Sequence, residues 1–320
     1  MRQPTKELET KLRRIRFVLM DIDGTLLTSS RATFDNVSAQ LRRLKRLNVR
    51  FSVATGRTIA GARPVLERLH ETVGMRMPPA ISYNGAVLLS PRDGSLIERH
   101  LLSPELVATA VRACRACGLW PLVYACHDTV SGPPTETVYL DTAAPGAAEF
   151  NGMGTRRFAD VGALEDDIVA ILADAGDSVA SSAIAHKLAV QLGGRLRAST
   201  SGSKYVEICS PDASKLEGMR RLAALHHVEV GEVMAIGDNL NDLEMIQAAG
   251  VGVAVGNAPS EVKAVADYAC SLDSAQGVVE ALRMLVRVHL LKANTRIRSN
   301  HCTPKRTPRG PQLTSSPTTF

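Results

Sequence analysis

Phe17-Val18-Leu19-Met20-Asp21-Ile22-Asp23-Gly24-Thr25-Leu26-Leu27 is the stretch on which the fold turns. Its first four residues form an apolar run of the length and composition of a short buried strand. Side chains alternate in facing along a strand, so Asp21 and Asp23 are expected to leave its end on the same side. Two carboxylates placed together repel unless a cation lies between them or one of them takes a proton. Gly24 permits a tight bend immediately afterwards. Taken alone, the pattern also fits a plain turn or the DxD metal site of a glycosyltransferase. A calcium loop is excluded, because no closing Glu stands at the twelfth position. Partners elsewhere in the chain have to decide between the rest.

Those partners recur at the ends of further apolar runs. Val49–Ala54 reads as a second strand and ends in Thr55-Gly56-Arg57 with a helix behind it. A hydroxyl and free amides at such a junction suit a phosphate, or a simple helix cap. Ala80–Tyr83 is a third short strand, after the Pro78-Pro79 break, and ends in Asn84-Gly85. Val233–Ile236 is a fourth and leads into Gly237-Asp238-Asn239-Leu240-Asn241-Asp242. Lys215 opens the helix that precedes it. Apolar positions 37, 41, 44 and 47 mark the helix between the first two strands. Strands alternating with helices indicate a parallel sheet, with ligands at the carboxyl ends of the strands. Four carboxylates, one Lys and one Thr at those ends make a site for a divalent cation and a phosphate, and an all-oxygen ligand set favours Mg²⁺.

Between residues 87 and 211 the rhythm changes. Val87–Leu89 and Leu96-Ile97 flank Pro91-Arg92-Asp93-Gly94, a hairpin signature. Helices follow from Pro104 and across Ile184, Leu188 and Leu192. Strands are expected at 120–126, 137–140, 167–173, 195–200 and 204–209, with a loop of small residues at 143–154. This is an α+β insert. The chain then divides into a charged lead-in at 1–14, a core at 15–86 and 212–291, the insert at 87–211 and a tail at 292–320. A further strand at 251–255 and a helix from Gln276 to about Leu291 complete the core.

At 320 residues with 45% hydrophobic content, the chain has enough apolar material for a real core. It lacks a long apolar run, so no membrane span is expected. A polar N-terminus without a signal-like segment points to the cytoplasm. The six cysteines are scattered, and only Cys114 and Cys117 are close, so reduced core thiols are expected rather than zinc. Of 38 basic residues against 32 acidic, six basic and no acidic ones fall at 292–320, so the rest of the chain is balanced. The tail, poor in large apolar residues, is expected to be disordered. It has no aromatic before Phe320, so nucleic-acid stacking is poorly supported.

Four motifs in order, DIDGTLL at 21–27, ATGR at 54–57, Lys215 in SKLEGM and GDNLND at 237–242, together with Asn84-Gly85, resemble the haloacid dehalogenase superfamily of aspartate-nucleophile phosphatases. More narrowly the chain resembles the Cof-like branch with a type IIB cap, over about residues 15–290. The resemblance implies a Rossmann-like core with an inserted α+β cap. It also implies Mg²⁺-dependent hydrolysis of a small phosphorylated metabolite, such as a sugar phosphate, flavin mononucleotide or pyridoxal phosphate. Asp21 would be the nucleophile and Asp23 the general acid and base. Thr55 and Lys215 would hold the phosphoryl group, with Gly56 and Asn241 as secondary contacts and Asn84 close to the substrate. Metal ligands would be Asp21, the Asp23 backbone carbonyl, Asp238 and Asp242. Relatives often have Lys-Gly where this chain has Lys215-Leu216, which bears on local pocket shape. The cap is expected to set the substrate, with Arg195 and His186 as candidates. The alternatives are a phosphosugar mutase of the same fold and a binding module acting through the basic tail. Oligomeric state is not legible.

Overall fold

The structure is a computed structural model. It describes residues 4–301 apart from 75–79, 91–93, 131, 143–152, 165–166 and 202–203. The Pro78-Pro79 break, the tip of the first hairpin, most of the small-residue loop, the Gly202-Ser203 turn, Cys302 and the rest of the tail lie outside the described residues.

The chain opens with α1 (Lys6–Leu12), β1 (Phe17–Met20), α2 (Arg31–Arg46), β2 (Arg50–Val53), α3 (Ile59–Val73) and β3 (Ile81–Ser82). The hairpin β4 (Val87–Leu89) and β5 (Leu96–Arg99) follows, then α4 (Pro104–Ala116), β6 (Pro121–His127), β7 (Thr135–Asp141), β8 (Gly154–Phe158) and β9 (Ile168–Asp174). Next come α5 (Ser178–Leu192), β10 (Arg197–Ser201) and β11 (Tyr205–Cys209). The chain closes with α6 (Lys215–Leu225), β12 (Val233–Gly237), α7 (Leu243–Ala248), β13 (Val251–Ala254), α8 (Ser260–Val265), β14 (Tyr268–Ala269) and α9 (Ser274–His301).

The core sheet is parallel, in the order β14-β13-β12-β1-β2. Its centre reads as continuous apolar sequence because helices cover both faces. Val18 and Met20 point toward α2 and α9, among Val37, Leu41, Leu282 and Leu285. Phe17 and Leu19 point the other way, toward Met219 and Leu222 of α6. Register aligns the strand ends: Met20 lies opposite Ile236 and Val53. The backbone NH of Asp21 donates to Ile236 O at 2.9 Å, and Thr55 NH donates to Ile81 O at 2.9 Å. Asp21, Thr55 and the turn after β12 therefore emerge side by side.

The second sheet is inserted, in the order β10-β11-β9-β6-β7-β8, and is antiparallel except for β7 with β8. Alternation divides its residues cleanly. Val123, Ala125, Ile171, Val206 and Ile208 pack against α4 and α5. Tyr124, Cys126, Ala170 and Cys209 face the other way and meet Ile59, Tyr83 and Val87 of the core.

Several details depart from the sequence reading. The hairpin β4–β5 pairs with β3, and Leu88 is buried with Phe17, Leu19 and Ile81 of the core, while Val87 and Leu89 face Tyr124 and Cys126 of the inserted sheet. The larger sheet and its helices begin at Pro104. The N-terminal lead-in is a helix capped by Thr5 that buries Leu8 and Leu12 in the core. Helix α9 continues to His301, ten residues into the stretch expected to be disordered. The described cysteines, 114, 117, 126, 209 and 270, are free thiols.

Candidate active site

The aligned strand ends form one wall of a cleft of about 770 Å³, and the inserted sheet forms the other. On the core wall, Lys215 lies at the start of α6, where Ser214 caps the helix. Its Nζ donates to Asp21 Oδ1 and to Asp242 Oδ1, both at 2.6 Å. All three side chains are buried. Burial pulls the Lys215 ammonium down, but Asp21 and Asp242 more than offset this and leave it raised. Burial pushes the Asp21 carboxyl well above its usual range, Lys215 opposes this, and Asp242 and Asp238 reinforce it.

Asp242 turns back on its own loop, where its Oδ2 accepts from the backbone NH groups of Asp238 and Asn239 at 3.0 and 3.1 Å. Asp238 accepts from Thr25 Oγ1 at 2.7 Å and from Asn257 Nδ2 at 3.3 Å. Burial raises its carboxyl to about 6, with the Thr25 hydrogen bond opposing and Asp242 adding. Ligand oxygens of Asp21, Asp238 and Asp242 lie within 4.8 Å of one another. A single ammonium among three carboxylates leaves excess negative charge, and hard oxygen donors of this kind suit a small divalent cation. Gly24 keeps the space beside them open. With φ of +72°, it is placed so that a Cβ would lie 2.2 Å from Asp238 Oδ2. The donor set and the space suit a small divalent cation.

Asp23 stands apart from this cluster. Its carboxylate, half exposed, is held by Arg57 in a two-pronged pair, Nε to Oδ2 at 2.7 Å and Nη2 to Oδ1 at 2.6 Å. The cation between Asp21 and its neighbours is Lys215, while Asp23 has a cation of its own. Thr55 is fully buried, and its Oγ1 accepts from Arg57 NH at 3.1 Å. Thr58, rather than Thr55, caps α3. Gly56 lines the cleft.

Tyr83 and Asn84 both adopt φ of +49°, a strained conformation for residues with side chains. The turn they make is fixed by Gly85, where a Cβ would lie 2.2 Å from Ser214 O. That close approach sets the Asn84 turn against the start of α6 and so against Lys215. Asn84 Oδ1 accepts from Asn241 Nδ2 at 3.0 Å, and Asn84 Nδ2 donates to Glu207 Oε2 of the inserted sheet at 2.6 Å. A second link between the walls is Glu136 on β7. Its two oxygens accept from Ile59 NH at 2.8 Å and Ala60 NH at 2.6 Å, at the start of α3, and it also accepts from the Tyr83 hydroxyl.

The inserted sheet brings Tyr124, Met153, Ala170, Leu172, Tyr205 and Glu207 to the cleft. Arg195 and His186, the expected cap candidates, do not line it: Arg195 pairs with Glu105 at 3.7 Å, and His186 is exposed on α5. Leu216 packs with the core cluster around Phe17 and Met219, so the missing glycine after Lys215 leaves the pocket unobstructed. Sequence reasoning missed Arg57, Thr25, Asn257, Glu136 and Glu207. Arg57 stood inside a quoted motif, and its neighbourhood with Thr55 was the available signal.

The family model for haloacid dehalogenase-like hydrolases matches residues 18–282. Phosphatase YwpJ of Bacillus subtilis is 26% identical over 292 residues, covering 85% of this chain and all of the relative. The chain spans about half, 46%, of the chloroplastic endoribonuclease YBEY of Arabidopsis thaliana, at 26% identity. Among solved structures, a haloacid dehalogenase-like hydrolase from Bacteroides thetaiotaomicron superimposes with a TM-score of 0.64 at 25% identity, covering 84% of this chain and 98% of that one. The family match takes in both the parallel core and the inserted sheet, and on that breadth the chain belongs to the haloacid dehalogenase-like hydrolase family.

Proposed function

We propose that the protein hydrolyses a small phosphomonoester through an aspartyl-phosphate on Asp21, with Mg²⁺ as cofactor. The observation that carries this reading is the Lys215 ammonium, buried behind the cleft and 2.6 Å from both Asp242 and Asp21, which lines it. It fixes the Asp21 carboxylate and offsets charge where a phosphoryl group would meet it.

An Asp21 oxygen attacks phosphorus; the new P–O bond forms as the ester P–O bond breaks. Asp23, at the mouth of the cleft, must exchange one of its two bonds to Arg57 for a proton once the ester is bound; it then gives that proton to the departing alkoxide, which leaves as the alcohol. Asp23 then takes a proton from water, which attacks phosphorus, releasing inorganic phosphate and restoring Asp21. Thr55 and Lys215 hold phosphoryl oxygens, with Gly56 and Asn241 beside them and Asn84 near the substrate. Asp21, the Asp23 backbone carbonyl and Asp238 would hold Mg²⁺, with Asp242 directly or through water. Bound there, the ion offsets the repulsion between an anionic nucleophile and an anionic phosphate.

The test is hydrolysis of 4-nitrophenyl phosphate by wild type and Asp21→Asn, each with Mg²⁺ and with EDTA. Activity is expected only in wild type with Mg²⁺, with Asp21→Asn lower by about 10⁴-fold. Equal activity in both proteins would overturn the assignment of the nucleophile.

A further inference from the structure

Asn257 stands outside the motifs that mark the site but touches two of them. Resting on the phosphatase reading above, we infer that Asn257 is a positioning residue: its one side-chain amide sets the separation of the two metal-binding loops, after β1 and after β12, and with it the affinity of the site for a divalent cation.

Asn257 follows β13, the neighbour of β12 in the core sheet, and lines the cleft. Its Nδ2 donates to Gly24 O at 3.0 Å, in the loop after β1, and to Asp238 Oδ2 at 3.3 Å, in the loop after β12. Its Oδ1 accepts from the backbone NH of Ser274 at 2.7 Å, at the start of α9. A side-chain amide has two N–H groups and one carbonyl oxygen, and all three are engaged. These neighbours also fix which way the amide points, because Gly24 O can only accept and the Ser274 NH can only donate. The loop that carries Asn257 is itself held. Gly256 NH donates to Leu272 O at 2.8 Å, Lys263 Nζ donates to Gly256 O at 2.6 Å, and a Cβ at Gly256 would lie 2.5 Å from Asp273 Oδ1. Asn257 therefore reaches the site from a fixed post on a third strand.

The two groups it bonds belong to the proposed cation site. Gly24 O lies one peptide beyond the Asp23 carbonyl, and Asp238 brings a carboxylate from the other loop. Asp238 Oδ1 accepts from Thr25 Oγ1 at 2.7 Å, so each oxygen of the carboxylate takes one donor and keeps a further lone pair for a cation. Asn257 offers no ligand of its own, because its oxygen is turned to Ser274. Its effect is to hold ligands from two segments at one spacing before the cation arrives. Partners that orient metal ligands in this way are worth about 10–100-fold in metal affinity. The Thr25 bond still joins the loops when Asn257 is shortened, and Asn257 is exposed, so its alanine variant is expected to fold.

The test is Mn²⁺ binding to the full chain without substrate, read from the electron paramagnetic resonance of the free ion. The site in question is the one lost in Asp238→Asn. In Asn257→Ala its Kd is expected to rise about tenfold or more. With saturating Mg²⁺, kcat on 4-nitrophenyl phosphate is expected to fall by less than about threefold and KM to stay in place. Asn257→Gln, which keeps the amide but displaces it by one methylene, is expected to fall between wild type and Asn257→Ala, and it decides the matter if the alanine variant does not fold. A Kd unchanged in the folded variants overturns the inference, even with stability lost in EDTA, since Asn257 would then only cap α9. A wild type with no Mn²⁺ site that depends on Asp238 overturns it too. Wild type that binds Mn²⁺ but releases no phosphate defeats the phosphatase reading instead, and the Kd values still decide the role of Asn257.

Discussion

The two walls of the cleft are built on opposite principles. On the core wall, charged groups hold one another: Lys215 spans Asp21 and Asp242, Asp242 is bonded to the backbone before it, and Arg57 grips Asp23 with two bonds. On the cap wall, rings and aliphatic side chains line the space, with Glu207 as the one carboxylate among the described residues that line it on that side. A charge removed from the core wall leaves a buried partner uncompensated, which is costly. Removing Tyr205, the partly buried ring of the cap wall, mainly enlarges the pocket. On the proposed function, the difference would place reactivity and selection on separate sheets of this chain, the first held by charge and the second by packing.

Breaking the core wall has the largest expected effect. Lys215→Met strands Asp21 and Asp242 as buried like charges. A loss of about 10³-fold in kcat and of about 3 kcal/mol in stability is expected, read by steady-state assay and by urea denaturation. Added Mg²⁺ should restore part of the stability, because a cation there replaces the missing ammonium. A stable variant with an undiminished rate would refute this account of the core wall.

Loosening the link between the walls comes next. Glu136 takes the free NH groups at the start of α3 with both oxygens, so Glu136→Gln turns one acceptor into a donor facing an NH. A loss of about 1–2 kcal/mol in stability is expected, with KM rising more than kcat falls. A larger fall in kcat than rise in KM would instead place Glu136 in the chemical step.

The core wall was legible in the sequence because its residues sit at the ends of apolar runs. Asp21, Thr55, Asn84 and Asp238 each end or follow a short buried strand, and parallel pairing must bring such ends together. Lys215 was marked by its motif. The pairs joining distant segments left no local pattern: Arg57 with Asp23, Asn257 with Asp238, Glu136 with the start of α3, and Glu207 with Asn84. Each depends on how elements pack, which periodicity does not encode. The cap wall was half legible. Its strands were found, but facing followed only once Val123 and Ile171 were seen to pack on the helices. Strand β8, Gly154–Phe158, was missed because Thr155, Arg156 and Arg157 are exposed and give no apolar alternation. Helix α9 outran its expected end, running to His301, because neither Pro nor Gly interrupts the sequence between Leu291 and His301.

The division of labour between the walls is tested most directly by one ratio: kcat/KM for 4-ethylphenyl phosphate over that for glycerol 3-phosphate, in wild type, Asp238→Asn and Tyr205→Ala. Asp238→Asn, on the core wall, is expected to depress both esters alike and leave the ratio where it was. Tyr205→Ala, on the cap wall, is expected to lower the ratio by about fivefold, the weight of one aromatic contact. A ratio that moves as far in Asp238→Asn as in Tyr205→Ala would contradict the separation of chemistry from selection.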